Sequence, residues 1–257
     1  MTPVDALILG LVQGLTEFLP VSSSAHLVMG QELLGANEPG VAFDVLVHGG
    51  TLLAVLVYFR RRSVQLVSER SWSYAGKIVV GTIPAGLVGV LFEAAIEQVF
   101  AAPEVVVFAL LWTGALLLSL KAIPADRREV EEPTVWQAWW IGCAQMTAIL
   151  PGISRSGSTI AAARWLGLAP APAAEFSFLL GVPAIAGAIV LQAGELRAGF
   201  SGGSGLAYLL GWVAALVAGL VAIALVFRLL ERRAFPNFGW YCWAVAVAFG
   251  AWLWLGR

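Results

Sequence analysis

The chain has 257 residues, of which 60% are hydrophobic and only 12% charged, and its formal net charge is −1. A soluble domain carries roughly 25% charged residues, so this chain cannot cover itself with polar surface and lipid is its expected solvent. Its charge offers no broad basic face, which excludes nucleic acid as a partner. We therefore expect one integral membrane domain over residues 1–257, surrounded by membrane lipids.

Six apolar segments are long enough to cross a membrane, since a span needs roughly 20 apolar residues. In chain order they are residues 41–59, 74–92, 103–120, 171–193, 205–227 and 238–255.

Two further apolar stretches, 4–34 and 135–168, each break at a polar Pro/Ser cluster, and the flanks of each break are too short to cross alone. Non-helical backbone is tolerated at membrane depth only inside protein or a watery cavity. These stretches predict two re-entrant helix–loop–helix hairpins beside the six spans, in an all-α polytopic membrane protein.

The basic residues give the hairpins an orientation. If each hairpin re-enters and each span crosses once, only Arg197 and Arg257 fall on one side, while Arg155 lies inside. Twelve basic residues fall on the other side: Arg60, Arg61, Arg62, Arg70, Lys77, Lys121, Arg127, Arg128, Arg164, Arg228, Arg232 and Arg233. The positive-inside rule makes this basic side cytoplasmic, so the first hairpin enters from outside and the second from the cytoplasm.

An internal repeat indicates the same arrangement. The motif Gly10-x-x-Gln13 recurs 132 residues later as Gly142-x-x-Gln145, and a Ser-x-Ser motif recurs at the same offset. In each half the hairpin is followed by a long span. Because the hairpins open to opposite sides, we expect inverted-topology repeats over about 1–120 and 134–257, a known way to build a substrate site in a membrane.

The first hairpin loop carries a candidate catalytic group. Gln13 and Glu17 are four residues apart and share one face of a helix that is otherwise apolar. A carboxylate there is costly and is a functional hypothesis by default. Serines 22–24 precede the second half-helix, where hydroxyls cap free amides, and His26 lies in its first turn. The alternative interpretation is that the serines only cap the helix and that the histidine is hydrogen-bonded within the protein.

The second hairpin loop, residues 151–159, resembles an anion cradle. Its glycines let backbone approach a ligand closely, and the start of the following half-helix favours negative charge. Arg155 adds a bidentate fork suited to phosphate. The candidate substrate- and phosphate-binding residues are Gln13 and Ser22 of the first hairpin, together with Ser154, Arg155, Ser156, Gly157 and Thr159 of the second. The alternative is that Arg155 pairs with Glu17 as a structural tie.

Other polar residues give weaker signals. Asp44 and His48 share a helix face, and Glu175 heads a span, so each is either interfacial, structural or part of a site. A carboxylate, a histidine and hydroxyls facing an arginine/amide site suit attack on a lipid-linked phosphoanhydride. A transporter or flippase of polyprenyl phosphate is the rival reading, because inverted repeats and broken helices suit that class equally.

At these residues the sequence resembles the bacitracin-resistance family, the undecaprenyl pyrophosphate phosphatases of the bacterial inner membrane. The resemblance runs from end to end. It is carried mainly by Gln13-Gly-Leu-Thr-Glu17-Phe-Leu-Pro-Val-Ser22-Ser23-x-x-His26 and Pro151-Gly-Ile-Ser-Arg155-Ser-Gly-x-Thr159, with Glu175-Phe-Ser-Phe and Phe235-x-x-Phe238-x-x-Tyr241 as secondary stretches.

The resemblance implies hydrolysis of undecaprenyl diphosphate to the monophosphate and phosphate. This returns the lipid carrier for peptidoglycan synthesis, confers bacitracin resistance, and takes place at a site open to the periplasmic side. It also implies that Glu17 belongs to an acidic motif linked to catalysis and to a divalent cation, Mg²⁺ or Ca²⁺. The motif allows Glu or Gln at position 13, and Gln13 carries no charge here.

Further roles come from the same resemblance. Ser23, with Ser22 beside it, and His26 occupy catalytic positions, and Arg155 occupies the phosphate-binding one. Either Ser23 attacks with His26 as its proton partner, or His26 and Glu17 activate a water. His48 stands where a Gln-like residue is expected, so it is assigned no catalytic role.

The state of assembly is open at this stage. The small-residue pattern Gly211-x-x-x-Ala215-x-x-x-Gly219 suits helix packing either within one chain or between two copies, so a homodimer is one of the expected assemblies.

Overall fold

The computed structural model describes residues 1–33, 40–68, 72–92, 103–124, 126–194 and 205–255. Within these ranges the chain is all-helical and contains no strand. Its α-helices there are α1 (Pro3–Phe18), α2 (Ser23–Leu33), α3 (Gly40–Tyr58), α4 (Arg60–Ser68), α5 (Trp72–Leu91), α6 (Pro103–Ser119), α7 (Val135–Thr147), α8 (Arg155–Trp165), α9 (Pro170–Leu191), α10 (Gly205–Glu231) and α11 (Phe238–Leu255).

Five helices of the described residues, α5, α6, α9, α10 and α11, are long and apolar enough to cross a membrane. The chain is therefore a multi-pass membrane protein, as predicted. The remaining predicted span corresponds to α3, whose 19 residues extend roughly 28 Å at 1.5 Å per residue. Its apolar part, Ala42–Tyr58, is shorter than the other five, so a sixth crossing stays a prediction. Hydropathy did not indicate α4, because three arginines begin it.

The two broken segments form helix pairs, α1–α2 and α7–α8. The described part of the first ends at Leu33, so residue 34 lies outside it. α1 has 16 residues and the other three have 11 to 13, which is short of a span at 1.5 Å per residue. α1 and α7 each begin with a capping box, built on Thr2 and Thr134.

Helix packing follows the same pairing in both halves. α1 packs closely on α10 and α7 on α5, while α6 packs on α11. Gly10 meets Gly211 at the first crossing, and Gly142 meets Gly81 at the second. A Cβ atom on Gly10 or Gly142 would enter the partner's backbone, so both crossings require glycine. Since Gly211 packs within the chain here, it gives no signal for a homodimer, which stays a prediction.

Two of the basic residues predicted to share one side, Arg62 and Lys77, are linked through shared ion pairs. Arg62 lies 2.9 Å from Glu175 and 3.5 Å from Glu132, and Lys77 lies 3.2 Å from Glu132. These contacts join α4, α5 and α9 to the loop before α7 at one end of the helices. Of the residues used to predict topology, Arg70, Arg197 and Arg257 lie outside the described residues.

Candidate active site

The tips of the two hairpins meet inside the protein. Ser156 Oγ in the second hairpin donates a hydrogen bond to the Leu19 carbonyl in the first, at 3.2 Å. Gly157 lies against Pro20, where a Cβ atom would come within 3.2 Å of the proline ring. Cys242 Sγ of α11 donates to the Pro20 carbonyl at 3.4 Å. Two carbonyls of the first break, those of Leu19 and Pro20, are therefore hydrogen-bonded by the second hairpin and by α11, as buried polar groups require.

Glu17 is the centre of the polar cluster at this meeting point and is only 7% exposed. Its Oε1 atom lies 2.6 Å from Arg155 Nη2. Its Oε2 atom accepts hydrogen bonds from Gln13 Nε2 at 3.0 Å and from Ser23 Oγ at 2.7 Å. A buried charge needs such compensation, and here it comes from both hairpins at once.

Arg155 contacts Glu17, as the structural alternative expected, but only part of its guanidinium is used. Nη1 is buried and has no hydrogen-bond partner among the described residues. It lies directly against the backbone of Gly181 on α9. Arg155 therefore joins the hairpins, and one of its guanidinium nitrogens keeps donors that no described residue accepts.

Ser22 and Ser23 differ in what they do. Ser22 has a positive φ of 68°, the left-handed conformation that turns the chain into α2. Its hydroxyl lies 3.2 Å from Ser24 Oγ. Ser23 begins α2 and directs its hydroxyl at Glu17. The structure thus places Ser23 at the carboxylate and uses Ser22 to form the turn.

His26 is held on both ring nitrogens. Nδ1 lies 2.8 Å from the Ser22 carbonyl, and Nε2 lies 2.8 Å from the Tyr241 hydroxyl, whose ring stacks on the imidazole. A carbonyl only accepts, so Nδ1 carries a hydrogen, and in the neutral imidazole Nε2 then accepts from the Tyr241 hydroxyl. His26 therefore does not bond Ser23 here. Tyr241 was missed as a site residue, although the sequence stretch that contains it was noted.

His48 lies at the same carboxylate. Its Nε2 atom is 3.7 Å from Glu17 Oε2, and its Nδ1 atom is bonded to the Asp44 carbonyl at 2.7 Å. Asp44 accepts from Gln31 Nε2 at 3.0 Å. The sequence assigned His48 no catalytic role, yet the structure brings it to Glu17. The signal was its i, i+4 position after Asp44 on an apolar helix.

Hydroxyl groups of the second loop form its internal support. Ser154 Oγ accepts from the Gly157 amide at 3.1 Å as the N-cap of α8 and lies 3.3 Å from Ser156 Oγ. Thr159 Oγ1 donates to the Arg155 carbonyl at 2.8 Å and lies 2.5 Å from Ser177 Oγ. These contacts fix the backbone that presents Arg155.

Thr113 of α6, which sequence reasoning missed, supports the same loop. It is fully buried, accepts from the Ser154 amide at 3.2 Å and donates to the Gly152 carbonyl at 3.1 Å. Gly152 has φ of +96°, which suits glycine, and it begins the turn into α8.

The residues beside Glu17 could hold a divalent cation only if the substrate supplied further ligands. Within the described part of the chain, no three His, Cys, Asp or Glu side chains converge to hold a metal. Gln13 Oε1 is buried and has no partner there, which leaves an oxygen ligand next to Glu17. Mg²⁺ is commonly held by one or two carboxylates together with substrate phosphates and water. Glu17 and Gln13 fit that mode and not a closed protein cage.

These features define a class: a multi-pass membrane protein whose buried carboxylate, hydroxyl and guanidinium groups come from two broken helix pairs. The family model described as "Bacitracin resistance protein BacA" matches residues 6–248. The chain belongs to this family.

Named relatives match over nearly the whole chain. A protein named undecaprenyl-diphosphatase from Methanobrevibacter smithii is 40% identical, with 96% of each chain covered. One of the same name from Desulfosudis oleivorans is 41% identical, over 100% of this chain and 99% of its own. Another from Rubrobacter xylanophilus is 40% identical, over 96% and 97%.

Proposed function

We propose that this protein hydrolyses undecaprenyl diphosphate to undecaprenyl phosphate and inorganic phosphate, recycling the lipid carrier for peptidoglycan synthesis and contributing to bacitracin resistance. The contact that carries the proposal is Ser23 Oγ donating to Glu17 Oε2 at 2.7 Å, beside Arg155. Its relatives' shared name, undecaprenyl-diphosphatase, gives the substrate. A hydroxyl on a buried base next to an anion-binding cation is what phosphoryl transfer to a nucleophile needs.

The first step forms a bond between Ser23 Oγ and the terminal phosphorus. Glu17 takes the hydroxyl proton, because it already accepts that hydrogen bond. The bond from the terminal phosphorus to the bridging oxygen breaks, and undecaprenyl phosphate leaves with its electron pair. Glu17 passes its proton to this leaving monophosphate.

The second step returns Ser23 to its starting state. Water attacks the phosphoseryl phosphorus while Glu17 takes one of its protons. Glu17 then gives that proton to the departing serine oxygen, and the other water proton stays on the released phosphate. Direct attack by water activated by His26 and Glu17 is the other route. The geometry favours the serine route, because Ser23 contacts Glu17 while both nitrogens of His26 are engaged.

Charge compensation comes from the second hairpin. Arg155 Nη1 offers donors to the terminal phosphoryl oxygens, where negative charge must be balanced in the transition state. The loop from Ser154 to Thr159 sets the position of that guanidinium and contributes amides at the start of α8. A divalent cation, Mg²⁺ or Ca²⁺, held by Glu17 and Gln13 Oε1 would supply Lewis-acid neutralisation of the diphosphate.

The proposed topology has six crossing helices and two re-entrant hairpins, arranged as inverted repeats over about 1–120 and 134–257. The matching glycine crossings, Gly10 with Gly211 and Gly142 with Gly81, support it. So does the cluster of basic residues at one end, which the positive-inside rule makes cytoplasmic. The protein then lies in the bacterial inner membrane with its site open to the periplasmic side.

The test is phosphate release from farnesyl diphosphate by purified protein in detergent. Glu17→Ala and Ser23→Ala should each lose about 10²-fold or more in rate, the scale expected for a positioned acid–base or nucleophilic group. Ser24→Ala is the matched control, since among the described residues the Ser24 hydroxyl hydrogen-bonds to Ser22 and not to Glu17. Near-normal phosphate release by Ser23→Ala would refute the serine route. Near-normal release by Glu17→Ala would refute the assignment of the active site.

The same assay distinguishes the proposed hydrolase from a flippase. A transporter that only binds the lipid phosphate releases none in detergent, where no membrane separates two sides. A phosphoseryl peptide containing Ser23, trapped by acid quenching with terminally labelled substrate, would in addition establish the covalent intermediate.

A further inference from the structure

A second polar cavity lies away from Glu17, where α6, α8, α9 and α10 end or begin. Its volume is about 500 Å³, within the range of small-molecule sites. Four cationic and two carboxylate side chains line it, together with leucine, isoleucine, proline and phenylalanine side chains. The charged residues are Lys121, Arg127, Arg164, Arg233, Glu129 and Glu231. We call this space the basic cavity.

The cationic charge in the basic cavity is only partly balanced. Glu129 is taken by Arg164, at 2.7 Å. Arg127 donates to the backbone carbonyls of Arg164 and Trp165, which are neutral acceptors, and it forms no ion pair with a described carboxylate. Glu231 is the remaining carboxylate of the lining, so the cavity keeps an excess of positive charge that favours an anion.

Two further cations of the lining are free of carboxylates. Lys121 Nζ lies 5.8 Å from the Trp240 ring centre, and Arg233 forms no ion pair within the described residues. The N-terminus of α9 also reaches the cavity at Pro170, and Ala169 before it makes no side-chain cap. That helix end adds a weak preference for negative charge.

Arg233 occupies a position where glycine is the usual residue. Its φ is +55°, and the hydrogen bonds Arg233 N to Leu230 O and Ala234 N to Leu229 O form the Schellman ending of α10. A non-glycine residue in this conformation carries backbone strain, which persists in proteins where a side chain is needed. This strained arginine points to a function for the cavity that helix termination alone does not require.

The geometry points to the basic cavity as a binding site for a phosphate group, at the opposite end of α8 from the catalytic Arg155. Arg155 and Arg164 are nine residues apart on this helix, which is about 14 Å at 1.5 Å per residue. Planar guanidinium groups and a lysine are the side chains that bind phosphate. The apolar lining beside them suits a headgroup whose ester carbon continues into a hydrocarbon chain.

Two sources offer this chemistry, a lipid phosphate headgroup and free phosphate. If the lipid monophosphate binds there, the protein has a second binding site for the kind of product that its proposed reaction releases. That interpretation rests on the proposed function, whereas the existence of the site does not. The experiment is therefore a binding measurement that needs no turnover.

The test uses the full-length Arg155→Ala protein in detergent, in which the catalytic anion site lacks its arginine. Farnesyl monophosphate and inorganic phosphate are titrated separately and binding is followed by calorimetry. We expect farnesyl monophosphate to bind, and adding Arg233→Gly to weaken it about tenfold or more, as loss of a charged hydrogen bond does. Lys121→Ala should weaken it in the same direction.

Arg233→Gly also guards against a folding artefact. Because glycine relieves the positive φ, the unfolding midpoint of this variant should be no lower than that of its parent. Arg232→Ala is the matched control, since Arg232 is adjacent and exposed but does not line the cavity. Inorganic phosphate binding as tightly as farnesyl monophosphate would assign the site to free phosphate. Absence of binding by both probes, or binding insensitive to Arg233→Gly, would overturn the proposal.

Discussion

The Arg155 guanidinium packs directly against the backbone of Gly181. A Cβ atom at position 181 would collide with Arg155 Nη1, the nitrogen that has no protein partner in the described structure. The arginine that joins the two hairpins therefore depends on a helix, α9, that contributes no side chain at this point.

Gly181→Ala should displace Arg155 and lower kcat/KM for farnesyl diphosphate by about 10²-fold, the effect of a misplacement near 1 Å. Gly187→Ala is the matched control on the same helix, because none of the described residues lies within 4 Å of its Cβ position. In the Arg155→Lys variant, which lacks the forked guanidinium, adding Gly181→Ala should lower kcat/KM much less. Equal losses in both backgrounds would show that Gly181 acts on the fold and not through Arg155.

Tyr241→Phe should lower kcat by about twofold to tenfold, the value of one net hydrogen bond. His26 bonds the Ser22 carbonyl in the turn that presents Ser23, and this variant removes the hydrogen bond that orients the imidazole while the stacked ring remains. Phosphate release from farnesyl diphosphate measures this. Tyr58→Phe is the control, since the Tyr58 ring stacks on Phe227 away from the site. An unchanged rate in Tyr241→Phe and in His26→Ala alike would remove both residues from the mechanism.

Chelation tests the shared cation. We expect phosphate release to stop in excess chelator and to return with Mg²⁺ or Ca²⁺, and Gln13→Glu to lower the cation concentration needed because it adds a charged oxygen ligand beside Glu17. Glu131→Gln removes an exposed carboxylate elsewhere and should leave that concentration unchanged. Full activity in chelator after exhaustive dialysis would eliminate the cation from the proposal.

The matching helix crossings make a prediction about stability. Gly10→Ala and Gly142→Ala should each lower the free energy of unfolding by about 1–3 kcal/mol, the cost of overpacking, because each new Cβ enters the partner's backbone. Chemical unfolding in detergent, followed by tryptophan fluorescence, gives the values. Gly86→Ala should not destabilise the protein, because no atom of the described part of the chain lies within 4 Å of the new Cβ. A large loss at only one of the two crossings would argue against equivalent packing in the two halves.

Much of the architecture was predictable because polar clusters in apolar segments have few physical solutions. Glu17 in an apolar helix requires a partner, and Arg155 was the one arginine that the predicted topology placed inside the membrane. The same reasoning missed Tyr241, which reaches His26 across 215 residues. Nothing local to either residue specifies that contact.

Other supports were hidden for a similar reason. Thr113 reads as an ordinary polar residue within a span, and Gly181 as one small residue among many in α9. Their roles exist only once α6 and α9 are packed against the second hairpin. Tertiary packing assigned these roles, and neither hydropathy nor residue spacing encodes it.

The ion pair between Glu17 and Arg155 joins residues 138 positions apart. During synthesis the first hairpin is therefore made long before its counter-ion exists. A nascent chain that stops short of α8 carries an uncompensated carboxylate in an apolar setting. This disfavours burial of the first hairpin in its final position. The site closes only when the second hairpin arrives, so its completion reports that both halves of the chain have been inserted in the correct order.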